Sequence, residues 1–167
     1  VLFFSSIKLT TIANATFLGT LAPMVTYIIE KIILKRNHNF YLTAGLCLAL
    51  LGATIIISNR FDFSSSYTIG NLLAILSSIF ISLSLIISEN VRGQVSTISY
   101  SRTLFLTAAC TLLLIAKVSN TNIVNYTIYD FSGLLFLGIV PTLLGHGILY
   151  YCIRYISPTI VASIPMG

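Results

Sequence analysis

The chain has 167 residues, of which 56% are hydrophobic and 8% charged, with a mean hydropathy of +0.97, whereas an ordinary soluble domain carries about 25% charged residues. This composition excludes a water-soluble globular fold, and apolar runs near the ~20 residues needed to cross a hydrocarbon core of about 30 Å indicate a polytopic helical membrane protein. The net charge of +5 comes from basic residues spread along the chain, which marks cytoplasmic loops rather than a nucleic-acid surface.

The predicted elements begin with "VLFFSSI", the stub of a helix ending at Lys8. A second span runs from about Ile12 to Leu34 and meets the basic connection "KRNHN". The third covers about Tyr41 to Ser58 and is closed by "NRFDFSSSYT". The fourth covers about Ile69 to Ser88, with the polar connection "ENVRGQVSTISYSR" after it. The fifth runs from about Thr103 to Val118, the sixth from about Phe131 to Ile153, and a seventh begins near Pro158. None of these runs alternates apolar and polar residues as a membrane β-strand would, so helices are predicted throughout. The expected architecture is an all-α integral membrane bundle with five complete helices and two partial ones. No initiator methionine or cleavable leader is visible, and the chain begins and ends in apolar residues, so it reads as an internal stretch of a longer protein.

Lys31, Lys35, Arg36, Arg92, Arg102 and Arg154 fall on one side of these spans, and Lys8, Arg60 and Lys117 on the other. The more basic side is expected to be cytoplasmic. A shift of 146 positions lays "VLFFSSIKLTT" on "GILYYCIRYIS", matching Ile7 with Ile153, Lys8 with Arg154 and Thr11 with Ser157. Because five helices separate the two turns, they would lie on opposite sides of the membrane, as in an inverted repeat.

Small residues inside the spans provide close helix contacts in lipid. Gly45, Ala49 and Ala53, with Gly52 beside them, form one such face in the third span, and Gly70, Ala74, Ser78 and Ser82 form another in the fourth. Both are expected to be buried against neighbours, with the serine hydroxyls alternatively facing a wet cavity. In the sixth span Gly138, Thr142, His146 and Tyr150 recur every four residues as one stripe ending at Arg154. Such a stripe turns away from lipid, and His146 either bonds to another helix, lines a substrate path or handles a proton.

Pro141 removes a backbone donor and crowds the Leu137 carbonyl, so a kink is expected there. Pro23 interrupts the second span in the same way and frees the Gly19 carbonyl, giving either a flexible wall or a static kink. Glu30 is expected to be an interfacial anchor, snorkelling to water or pairing with Lys31 or its neighbours, rather than a coupling carboxylate. Cys47, Cys110 and Cys152 sit in apolar runs without metal-ligand spacing and are expected to fill space as small hydrophobes. His38 and His146 are too isolated to suggest a metal, and the glycosylation-like patterns at Asn14 and Asn125 are too short to carry weight.

"TTIANATFLGTLAPMVTYIIEKIILKR" followed by "YLTAGLCLALLGATIII" resembles the helix pair that closes the first half of drug/metabolite transporters of the EamA type. "PTLLGHGILYYCIRYISPTIVASIPMG" resembles the corresponding region of the second half. The resemblance implies a ten-helix bundle of two inverted five-helix repeats, with residues 1–58 closing the first repeat, 59–68 a linker and 69–167 opening the second. It marks Pro23, Gly145, His146, Arg154, Ser157 and Pro158. Lys35 and Arg36 stand where many relatives carry a Gly-Glu pair, and Glu30 lies too early to replace that carboxylate directly.

The resulting expectation is a secondary transporter of small metabolites or drug-like compounds that works by alternating access. Ser78, Ser82, Thr142, His146 and Tyr150 would line its path, and Pro23 and Pro141 would permit bending. No cofactor or metal is implied. The expected partners are a small-molecule substrate and the lipid bilayer, with room for a homodimer and no nucleic acid, and the expected location is a bacterial inner membrane. A membrane-embedded enzyme acting on lipid-type substrates and a non-transporting membrane subunit are the alternatives.

Overall fold

The computed structural model describes residues 1–57, 67–119 and 127–164. Arg60, Asn125 and most of the 59–68 linker lie outside these residues. The described residues form α1 (Leu2–Leu9), α2 (Ile12–Gly19), α3 (Ala22–Ile32), α4 (Phe40–Ile57), α5 (Thr68–Arg92), α6 (Thr97–Val118) and α7 (Ile128–Leu137). A π-helical segment, Gly138–His146, then leads into α8 (Gly147–Cys152), and α9 spans Pro158–Ser163. No strand occurs among the described residues. Four helical stretches, Ile12–Ile32, Thr68–Arg92, Thr97–Val118 and Ile128–Cys152, are long and apolar enough to cross a membrane. At 18 residues, α4 is about 27 Å long, just under the hydrocarbon thickness. This is an all-helical membrane bundle.

Capping residues explain where the helices start. The Thr11 side chain accepts the Asn14 backbone N–H at the head of α2, and Ser96 accepts that of Ser99 at the head of α6. The Ser96 cap starts α6 at Thr97, six residues before the position expected from hydropathy, because the polar first turns still satisfy the helical ladder. Likewise a capping box between Thr127 and Asp130 starts α7 at Ile128 rather than Phe131.

The chain packs as two units, one of residues 1–89 with 156–167 and the other of residues 90–155. In the first, α9 packs on α3, and the buried side of α3 is Ala22, Pro23, Thr26 and Glu30. Three of these lie four residues apart, the spacing of one helix face. The small-residue face of α5 is buried as expected: Gly70 lies against the end of α1, and Ala74, Ser78 and Ser82 are inaccessible to solvent. The equivalent expectation for α4 fails. Gly45 and Ala49 are exposed, and a Cβ added to Gly45 or Gly52 would meet nothing within 4 Å. Small residues permit close approach, but among the described residues of α4 the buried one is Leu46, one position along from Gly45.

The second unit centres on Tyr150, Arg92 and Ile153, all buried. The rings of Tyr100 and Phe105 approach Tyr150 at centroid distances of 5.2 and 6.5 Å. Neither α6 nor α7 has a fully buried residue, so apart from contacts such as those of Tyr100 and Phe105 their side chains are left for lipid or further protein. The cysteines depart from expectation as well: Cys47 and Cys110 are free on exposed faces and Cys152 is half-buried, so the first two fill no core.

Candidate functional site

Two broken spans and two polar clusters organise the molecule. The first span is interrupted at Thr20 and Leu21, and Pro23 sits in the first turn of α3. There its missing N–H removes no helical bond, so the proline starts a new helix instead of kinking a continuous one. Ser82 of α5 donates to the Ala22 carbonyl at 2.8 Å and Thr26 donates to the same oxygen at 2.8 Å. Ser82 also reaches the Ser78 carbonyl at 2.8 Å, while Ser78 donates to Ile75 O at 2.8 Å. Both serines are buried, and their hydroxyls tie α5 to itself and to the break at the start of α3.

At the other end of α3, Glu30 is 0% exposed. This corrects the snorkelling part of the expectation, since the carboxylate turns inward, while the expected pairing with a basic neighbour is made by Arg36. Arg36 Nη1 lies 2.9 Å from Glu30 Oε1 and 2.8 Å from a carboxylate oxygen of Glu89 on α5. Thr159 of α9 donates its hydroxyl to Glu30 Oε2. Burial works to lower the Arg36 pKa, but the hydrogen bond and charge of Glu89, followed by those of Glu30, hold it above the ordinary arginine value.

The backbone makes this arrangement possible. Lys35 adopts φ 52°, the left-handed region that costs an L-residue about 1–2 kcal/mol. The Arg36 N–H then reaches back to Glu30 O at 3.0 Å. The Lys-Arg pair therefore makes the turn for which a glycine would be the natural residue, and folds the guanidinium onto the carboxylate one and two-thirds turns upstream. His38 closes the cluster. Its Nε2 is 3.6 Å from Glu30 Oε2, and its ring stacks on Tyr27 at 4.8 Å. Tyr27 in turn is hydrogen bonded to Thr43 of α4 at 2.9 Å.

In the second unit, Pro141, where a kink is expected from the sequence, lies inside the π segment. The Leu137 carbonyl accepts Thr142 Oγ1 at 2.9 Å, and the Pro141 carbonyl lies 2.9 Å from His146 Nδ1. Both side chains reach five residues back, to carbonyls that the backbone bonding of the π segment also serves. Since a carbonyl can only accept, Nδ1 is the donor in this contact and Nε2 is left outside it. Thr142 and His146 are exposed, whereas Tyr150 is buried with its ring 6.3 Å from that of His146. The four-residue stripe is thus split between an exposed upper part and a buried foot. Gly145 lies beside the Val140 carbonyl, at 3.7 Å from an added Cβ.

The Tyr150 carbonyl accepts Arg92 Nε at 2.9 Å, and the same guanidinium reaches Val95 O and Thr97 Oγ1. Arg92 is 1% exposed, so this residue, counted in the sequence as a loop charge, joins the end of α5 to α6 and α8. Arg154 is exposed after α8, with its guanidinium over the Tyr155 ring. Ser157 and Pro158 begin α9, and Ser157 has φ −63° and ψ 148°, close to the −69° and 149° of Thr11. The two positions paired by the sequence shift therefore share one backbone conformation, although only Thr11 makes a side-chain cap. Ser78 and Ser82 belong to the first unit, and Thr142, His146 and Tyr150 to the second.

Glu30, Arg36, His38, Glu89 and Thr159 were not singled out together by sequence reasoning. The available signal was Glu30 itself, an acidic residue inside an apolar span. Its partners lie in a loop and on two distant helices, so no spacing rule groups them.

A family model described as the EamA-like transporter family matches residues 68–166. A solved structure described only as the crystal structure of a protein superposes with a TM-score of 0.81 at 18% identity, covering 99% of this chain and 57% of that one. At this identity the likeness shows the fold, and the chain spans a little over half of the matched structure's length. No curated protein matches the chain.

Proposed function

Because the chain belongs to the EamA-like transporter family, we propose that it is part of a secondary transporter that moves small metabolites or drug-like compounds by alternating access. Spans broken at Thr20–Leu21 and at the π segment carry this reading. Discontinuous helices place unpaired backbone and re-aimable side chains within the membrane, where a substrate can be bound and released. Near Pro141 the side chains of Thr142 and His146 bond the Leu137 and Pro141 carbonyls. These bonds can be exchanged for bonds to substrate without leaving a carbonyl bare at every stage.

On this reading Thr142 and His146 face the substrate path, with His146 Nε2 accepting from a hydroxyl or amine of the substrate. Rewinding the π segment into an α-helix changes the register by one residue and rotates the downstream helix by about 100°. That rotation is the proposed local motion of the cycle, and the Pro23 break is its counterpart in the first unit. Helical rather than barrel spans support location in a cell membrane, the inner one if the source is bacterial. The lipid bilayer is the immediate partner, and self-association as a homodimer is compatible with the apolar faces of α6 and α7.

The test is substrate flux by the full-length protein in proteoliposomes. His146→Ala should lower flux about tenfold, the equivalent of one hydrogen bond to substrate, while the protein stays monodisperse. Wild-type flux unchanged by this substitution would remove His146 from the path.

A further inference from the structure

We propose that Glu30 and His38 form a binding site for one exchangeable proton. This deepens the transport reading by naming a coupling ion, and it rests on that reading only for the coupling role.

The argument begins with charge. Glu30 and Glu89 bring two carboxylates to one guanidinium, Arg36, so the cluster carries one uncompensated negative charge while His38 is neutral. Lys31 does not neutralise it, since its ammonium lies over the Tyr27 ring, 5.6 Å from the centroid. Lys35 is exposed. From α4 the neighbouring groups are Thr43, bonded to Tyr27, and Cys47, and from α9 the group in contact is the hydroxyl of Thr159. Among the described residues facing the cluster, His38 alone ordinarily changes charge between pH 5 and 8.

The second observation is an unused polar atom. The His38 side chain is 6% exposed, and its Nε2 is buried without a hydrogen-bond partner. That nitrogen lies 3.6 Å from Glu30 Oε2, too far for a formed hydrogen bond and near enough for a strong charge interaction. The Tyr27 ring at 4.8 Å holds the imidazole in this place. A proton taken up by His38 balances the cluster, and a small closing movement gives the buried nitrogen its partner. The same carboxylate oxygen accepts from Thr159, so the proton on His38 and the grip of α9 on α3 both act through one oxygen. Protonation is thereby linked to how firmly α9 is held.

The experiment is a pH titration of nitrogen-15-labelled histidine in the full-length protein in lipid nanodiscs, with the His38 signal assigned from a His38→Gln sample. Glu30→Gln should lower the pH midpoint of the His38 signal by about one pH unit or more, because the carboxylate that stabilises the imidazolium is gone. Thr159→Val keeps the carboxylate but removes the hydroxyl that satisfies it, and should raise the midpoint. It serves as the deciding variant if Glu30→Gln does not fold. A midpoint that stays in place in the folded variants overturns the proposal. The titration is read without substrate. Failure to transport would therefore sink the transport reading and leave this site standing, while an immobile midpoint would sink the site and leave transport standing.

Discussion

Replacing Gly70 by alanine is a sharp test of how α1 and α5 meet. A Cβ at this position would lie 2.6 Å from the carbonyl carbon of Leu9, 2.7 Å from its oxygen and 2.7 Å from Thr10 Cβ. Two of these are backbone atoms, so no rotamer change relieves the clash, and α1 must move away from α5. Overpacking of this kind costs about 1–3 kcal/mol. The movement also strains the bond from Thr10 Oγ1 to Asn71 Oδ1 at 2.7 Å, worth about 1 kcal/mol more. Together these give an expected loss of about 2–4 kcal/mol, against which the intrinsic helix gain from glycine to alanine is at most about 1 kcal/mol. Gly45→Ala is the control, since nothing lies within 4 Å of its added Cβ. Unfolding of both variants in mixed micelles, followed by helical circular dichroism, should show Gly70→Ala destabilised and Gly45→Ala unchanged or stabilised. Equal stability of the two would refute the close approach of α1 to α5.

Arg92→Met should destabilise the folded chain by about 3 kcal/mol, because three charge-assisted bonds in a buried position are lost; denaturation in the same micelles reads it. Lys35→Gly should stabilise by about 1 kcal/mol, since glycine adopts the left-handed conformation without strain but loses more chain entropy on folding. Pro141→Ala restores a backbone donor and removes the ring clash. The π segment should then wind as an α-helix, measured as slower amide hydrogen exchange over residues 138–146.

The architecture was readable because membrane spans announce themselves by length and hydropathy, and the family resemblance of the last 27 residues agrees with the match over 68–166. Helix starts were misplaced at α6 and α7 because a cap such as Ser96 or Thr127 is polar and carries no hydropathy signal. Pro23 and Pro141 are recognisable as interruptions, but hydropathy carries no signal for whether a proline opens a new helix or is absorbed in a π turn. The small residues of α4 and α5 look alike in sequence and differ in burial, since a small residue allows a contact without specifying which face receives one. Glu30 and Arg92 were read as boundary charges. Their burial depends on acceptors and donors contributed from elsewhere, including Thr159, 129 positions from Glu30.

The central claim, alternating access by a family member with broken spans, is tested most directly by counterflow. Proteoliposomes holding the full-length protein would be preloaded with unlabelled compound and diluted into a trace of the same labelled compound, across panels of amino acids and drug-like cations. The account predicts a transient accumulation of label above equilibrium for at least one class, weakened in Pro141→Ala. Uptake that only approaches equilibrium, or no uptake for any class, would contradict it.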